Sequence, residues 1–135
     1  MRPCAAALAL LALTGCALPP SCPPGTVQAT LTETWFGRSI GGGGGEVSET
    51  DWARFLAEEV TPRYPDGLTV LDAVGQWRGR DGAILRERSK KLEILLPGTD
   101  ASTARTRMLP IETAWKARFK QESVLTAYSR RCISF

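Results

Sequence analysis

The sequence predicts an α+β domain, a four-stranded antiparallel sheet with two helices on one face. Three observations carry this reading. Two β-rich runs, residues 68–77 and 84–96, are split by Gly79-Arg80-Asp81-Gly82. A D-G turn between such runs is a strong short-range hairpin signal. Before and after this hairpin come segments with apolar residues at helical spacing, and a further β-rich run lies outside each of them.

The first strand is residues 27–36, in which Thr, Val, Trp and Phe dominate although alternation is only partial. A first helix starts at Ser48, an N-cap with Asp51 three residues on. Trp52, Phe55, Leu56 and Val60 form its apolar face, and Thr61-Pro62 disfavours further helix. In the first hairpin strand, Leu68, Val70 and Val74 share a face with Asp72 and Gln76. Thr69, Leu71, Ala73 and Trp77 share the other with Gly75, which is a candidate bulge. The returning strand has Leu92, Ile94 and Leu96 on one face. A second helix, residues 104–119, takes its cap from Ser102 or Thr103. Its inner side is Met108, Ile111 or Glu112, Trp115 and Phe119. Pro110 is expected to kink it or to split off a short first turn. The last strand is residues 124–135. The order β-α-β-β-α-β is the ferredoxin-like plan, with spatial strand order 4-1-3-2. One parity set of the first hairpin strand must then face away from the helices, unless a bulge at Gly75 intervenes.

Composition removes several chemistries. There is no His, which excludes Ser/His and Cys/His constellations and the usual zinc ligand. The net charge of +3 is too small, and its Arg and Lys too scattered, to indicate nucleic acid as a partner. No metal or cofactor motif is present. The five glycines 41–45 lack the Lys-Ser/Thr end of a phosphate loop, so they read as a long flexible loop.

Residues 1–15 read as a signal peptide: Arg2, a short apolar run, then small residues. The apolar run is too short to span a bilayer as a helix. Leu13-Thr14-Gly15-Cys16 resembles the lipobox of bacterial lipoproteins. That resemblance implies cleavage before Cys16, its lipidation, and attachment to the membrane through the lipid. Ala17, rather than Asp, follows the Cys, as in proteins sorted to the periplasmic face of the outer membrane. Residues 16–26, with four prolines, read as a tether with a reach of roughly 30 Å. Residues 27–135 form the single domain. Cys22 and Cys132 are expected to pair, since exported proteins meet an oxidising compartment and the strand order brings them together.

Glu33-Thr34-Trp35-Phe36-Gly37, the blocks 60–73 and 75–78, Gln121-Glu122-Ser123-Val124-Leu125 and Cys132-Ile133-Ser134-Phe135 resemble a bacterial family known only as domain of unknown function 3574. The resemblance covers about residues 32–135. The glycine run and Pro110 depart from it. The family brings no assigned activity.

The most suggestive polar cluster is a candidate binding surface of Gln76, Trp77, Arg78, Arg88 and Lys90, with Arg86 and Lys91 nearby. With Trp77 and Arg78 across from residues 86–88, an indole beside guanidinium groups would hold an anionic or flat ligand. The plainer reading is a basic hairpin balanced by Asp81, Glu87 and Glu93. Asp66 fits a turn role. Asp72 within an apolar strand needs a partner, such as Arg54, Arg63 or Arg78, or a raised pKa. Three functions remain open: a lipid-anchored binding or interaction domain, a small cofactor-independent enzyme of dimeric ferredoxin-like type, and a structural or assembly factor of the envelope. A homodimer or an envelope protein partner would use the apolar strand from Leu71 to Trp77.

Overall fold

The computed structural model describes residues 21–79 and 81–135. The expected signal peptide and the expected lipidation site, Cys16, lie outside the described residues. No helix among the described residues is long and apolar enough to cross a membrane.

Strand β1 (Val27–Gly37) leads through a glycine-rich connection to helix α1 (Glu49–Phe55), which runs on into a π-helical turn at Leu56–Val60. Strands β2 (Thr69–Arg78) and β3 (Ile84–Pro97) form the hairpin, and helix α2 (Ala101–Phe119) leads into β4 (Leu125–Ile133). All pairings are antiparallel, and the strands lie in the order β2-β3-β1-β4. Counted from the other edge this is 4-1-3-2, the expected order.

Facing residues in the register share a side of the sheet. Thr32, Thr34 and Phe36 of β1 lie beside Ile94, Leu92 and Lys90 of β3, and all are buried. Both helices cover this side. The Phe36 ring lies 5.6 Å from Trp52, 5.8 Å from Phe55 and 4.9 Å from Trp115, a packed aromatic centre. Val70 is paired with Leu92 and therefore faces the helices. Leu71, Ala73, Gly75 and Trp77 face away from them. The ladder runs through Gly75↔Glu87 without interruption, so Gly75 is a regular strand position and not a bulge.

The local chemistry explains the ends of the elements. Ser48 caps α1, its side chain accepting from the Asp51 N–H and the Asp51 carboxylate accepting from the Ser48 N–H. The cap of α2 is Asp100, whose carboxylate accepts from the Thr103 N–H at 2.7 Å. It replaces the expected Ser102 or Thr103, both of which lie inside the helix. Pro110 does not split α2. Its ring sits on the exposed side, while Ala104, Met108, Ile111, Trp115 and Phe119 keep one buried seam on both sides of it. That seam outweighs the single backbone hydrogen bond a proline removes.

The glycine run is an ordered turn rather than a long flexible loop. Arg38 and Val47 are linked by a Val47 N–H bond to the Arg38 carbonyl, and Ser39 bridges to Glu46. Ile40 then donates to the Gly45 carbonyl, closing a hairpin whose Gly42, Gly43 and Gly45 all have positive φ. Only glycine adopts three such conformations in one short loop without strain.

Cys22 and Cys132 form a disulfide, with Cα atoms 5.5 Å apart. The bond ties the segment before β1 to the end of β4. It therefore shortens the expected tether, because the chain is already attached to the sheet at Cys22.

Candidate functional site

The sheet face away from the helices carries a groove of about 900 Å³, within the range of small-molecule sites. Its shape follows from the register. Leu71, Lys91, Trp35 and Leu125 lie side by side across all four strands. The next rows hold Ala73, Ser89 and Gly37, then Gly75 and Glu87, then Trp77 and Leu85. Small residues thus make a low floor between a row containing Trp35 and a row containing Trp77. Trp77 is half exposed, at 49%.

The groove closes on one side with two chain segments distant in sequence. The glycine hairpin supplies Ile40, Gly41, Gly43 and Gly45, and the α2–β4 connection supplies residues 120–123. Gly41 donates to the Phe119 carbonyl, and the Gln121 side chain donates to the Ser39 carbonyl. A Cβ on Gly41 would run into the Lys120 carbonyl, so glycine is required for this close approach. Glu87 is the carboxylate in the floor. It accepts from the Ser39 N–H at 2.8 Å, and it packs over Gly37, where a Cβ would come within 2.6 Å of its oxygen. Lys91 stands 5.0 Å over the Trp35 ring and is held by Glu33 and Glu93, each at 2.7 Å. These two carboxylates, Glu33 first, raise its pKa.

On the helix side lies a chain of ion pairs. Arg38, only 4% exposed, donates to the Val47 carbonyl and to Glu49, and pairs with Glu46 at 3.2 Å. Lys90 Nζ donates to Glu49 at 2.7 Å and to Asp72 at 2.5 Å, and Arg88 pairs with Glu46 at 3.3 Å. The Lys90 hydrogen bond holds both Asp72 and Glu49 below their ordinary pKa, with the nearby positive charges adding to it against desolvation. Burial works to lower the pKa of Lys90 itself, but its hydrogen bonds and charge contacts with Asp72 and Glu49 leave it raised. The network latches the glycine hairpin and the start of α1 onto β3.

These contacts correct the sequence expectations. The partner of Asp72 is Lys90, not Arg54, Arg63 or Arg78. Asp72 is exposed, with a lowered rather than raised pKa. Lys90 is buried and committed to two carboxylates, so it leaves the candidate binding surface. The rest of that surface splits over two faces. Gln76, Arg78 and Arg88 share the helix-facing side of the hairpin, whereas Trp77 lies on the other, opposite Leu85 and not opposite an Arg. Gln76, Trp77 and Arg86 do line the groove. The sequence reading missed the contributions of Trp35, Glu87 and the glycine hairpin. The signal that was there is the row of small residues Gly37, Ala73, Gly75 and Ser89 on one strand parity.

A second groove, about 740 Å³, lies at the opposite end of the sheet near Tyr64, Arg107 and Phe135. Arg107 stands 5.3 Å over the Tyr64 ring, and burial raises the phenol's pKa. No cluster of three or more His, Cys, Asp or Glu that could hold a metal occurs among the described residues.

The fold and the groove define a small α+β domain with one sheet face packed under helices and the other open. The chain belongs to the family described as Protein of unknown function (DUF3574), whose model matches residues 31–135. No curated protein matches the chain. Solved structures similar in fold include two of a phage enzyme. A phage SAM lyase in complex with S-methyl-5'-thioadenosine superposes with a TM-score of 0.58 at 16% identity, covering 88% of this chain and 97% of that one. A phage SAM lyase in the apo state gives 0.55 at 14% identity, covering 94% and 97%.

Proposed function

We propose that this chain is a lipid-anchored binding domain of the bacterial envelope, with the groove on the open sheet face as its ligand site and a ferredoxin-like plan as its scaffold. The observation that carries the reading is the groove itself. Two indoles flank a floor of small residues, and the floor holds a carboxylate fixed by a backbone N–H. An apolar cleft with a few placed polar groups is the usual form of a small-molecule site.

The anchor fits this use. Cys22 is tied at the Val27 end of β1, and the glycine hairpin that walls the groove follows its Gly37 end. The strand's 11 residues separate these ends by about 35 Å. A lipid on Cys16 would therefore hold the domain with its groove away from the bilayer, at the periplasmic face of the outer membrane.

A second reading, a small enzyme, is favoured by one observation: the likeness to a phage SAM lyase extends over nearly all of that chain. On this reading the groove takes an adenosine-type nucleoside, the base stacking on an indole and Glu87 facing a cationic substituent. Both readings are tested on the full chain purified from membranes in detergent. Binding of S-methyl-5'-thioadenosine or another nucleoside should raise the Tm by mass action and quench tryptophan fluorescence. Trp77→Ala should remove both effects. Turnover of S-adenosylmethionine separates the enzyme from the binding domain. No shift with any nucleoside, amino acid or peptide of a broad panel would reject the groove as a ligand site. Labelled fatty acid entering the wild type but not Cys16→Ala tests the anchor.

A further inference from the structure

We infer that β2 is a self-association edge, on which a second copy of this chain adds its own β2 antiparallel across a two-fold axis at Gly75. Strands β2 and β4 are the sheet's two edges. An edge strand presents unpaired N–H and C=O groups, and natural proteins blunt such edges with charge, proline, bulges or short length. Edge β4 follows that rule, with adjacent Arg130 and Arg131 and a disulfide at its end. Edge β2 does not. It has 10 residues, no proline, an unbroken ladder to β3, and Asp72 and Arg78 as its charged residues.

The hairpin's outer half has further reason to be covered. The β1 ladder to β3 ends at Gly37↔Ser89 and one further bond, from the Arg38 N–H to the Arg88 carbonyl, so residues 84–87 of β3 have backbone pairing with β2 alone. Val74 is 78% exposed and Ile84 54% on one side of this half, with Trp77 and Leu85 exposed on the other. A two-stranded ribbon with apolar groups bare on both sides is marginal in water.

Charge complementarity sets the occupant and the register. With the axis at Gly75, Asp72 of each copy faces Arg78 of the other, and Ala73 faces Trp77. Val74 then faces Gln76, and the two Gly75 face each other. Both charged pairs form at once, large meets small on the groove side, and each residue keeps its side of the sheet. Moving the axis one step along the same face, to Ala73 or Trp77, separates Asp72 from Arg78. An axis at Asp72 or Arg78 sets like charges opposite each other. Asp72 is free to take the second partner: its Oδ1 is bound to Lys90, while its side chain is 75% exposed. The resulting interface is isologous, as a closed dimer requires.

Cysteine cross-linking of the full chain in its native membranes tests both contact and register. Gly75 has open space where a Cβ would stand, so Gly75→Cys introduces no clash. Gly75→Cys should give a dimer band on mild oxidation, removed by reductant. Thr69→Cys should give none, because its two copies would lie roughly 40 Å apart. Adding Arg78→Asp to Gly75→Cys sets two carboxylates opposite each other and should cut the dimer at least fivefold. Adding Asp72→Asn as well removes that repulsion while leaving Lys90 an acceptor, and should restore most of it. The proposal is overturned by a monomeric Gly75→Cys protein, by equal cross-linking at Thr69→Cys, or by a dimer indifferent to Arg78→Asp.

Discussion

Reducing the Cys22–Cys132 disulfide should lower stability by an amount set by the loop it closes. The two cysteines are 110 residues apart, so the bond closes nearly the whole domain. In the chain-entropy model that loop corresponds to an unfolded-state entropy loss worth about 4.8 kcal/mol at 25 °C. Unfolding entropy near Tm is about 2.1 cal/mol/K per residue, or about 0.24 kcal/mol/K for a domain of this size. The predicted fall in Tm on reduction is therefore about 20 °C. The native fold should survive, because β4 remains paired with β1 from Val27↔Ile133 to Trp35↔Leu125. The assay is thermal unfolding followed by circular dichroism, with and without a phosphine reductant, repeated on the Cys22→Ser/Cys132→Ser variant. Urea unfolding should also become steeper after reduction, since an uncross-linked denatured chain exposes more surface. A shift below about 5 °C, with an unchanged urea slope, would refute the entropic reasoning.

Other perturbations address the core, the ion network and the groove wall. Phe36→Ala removes a fully buried ring at the aromatic centre and should cost about 3–5 kcal/mol in urea unfolding. Glu49 and Asp72 have depressed pKa values in the folded chain, against ordinary values of 4.5 and 3.8. Their stabilisation is complete above those ordinary values and is lost as pH falls through the depressed ones, so Tm should drop on acidification, and less steeply in Glu49→Gln/Asp72→Asn. Lys90, raised from 10.5, acts in the opposite sense: its contribution is complete below that value and is lost only above its raised pKa. An alkaline titration of Tm in Lys90→Met against wild type should therefore diverge least at the highest pH. Gly41→Ala should displace the glycine hairpin from the Lys120 carbonyl, read as faster amide exchange at position 41 and at Ile40 with little change in global stability.

Much of the fold was legible because its signals are local. Ser48 with Asp51 marks a helix start by hydrogen bonds within one turn, and the Asp81-Gly82 turn is set by the Asp81 bond to the Ala83 N–H and a positive φ at Gly82. Element order followed from such marks, and with it the strand order that brings Cys22 to Cys132. Other features needed the tertiary structure. In β2 both parities carry apolar groups, so the chain alone says that Leu71 and Val70 point opposite ways but not which one is covered. That depends on where α1 and α2 settle, and they settle over Phe36, Leu92 and Val70. The partner of Asp72 was invisible because Lys90 lies across a ladder whose register the whole sheet sets. The groove draws on all four strands and two connections, and its glycine wall is ordered by contacts with Phe119, Lys120 and Gln121, about 80 residues away in the chain. Pro110 misled for a similar reason: local propensity argues against it in a helix, and the buried seam on both sides overrides that propensity. What the sequence determined is the set of elements and their order, which rest on short-range geometry, and through that order the position of the disulfide. Which sheet face is open, and what gathers on it, was decided by packing, because burial is a property of the assembled layers and not of any one strand.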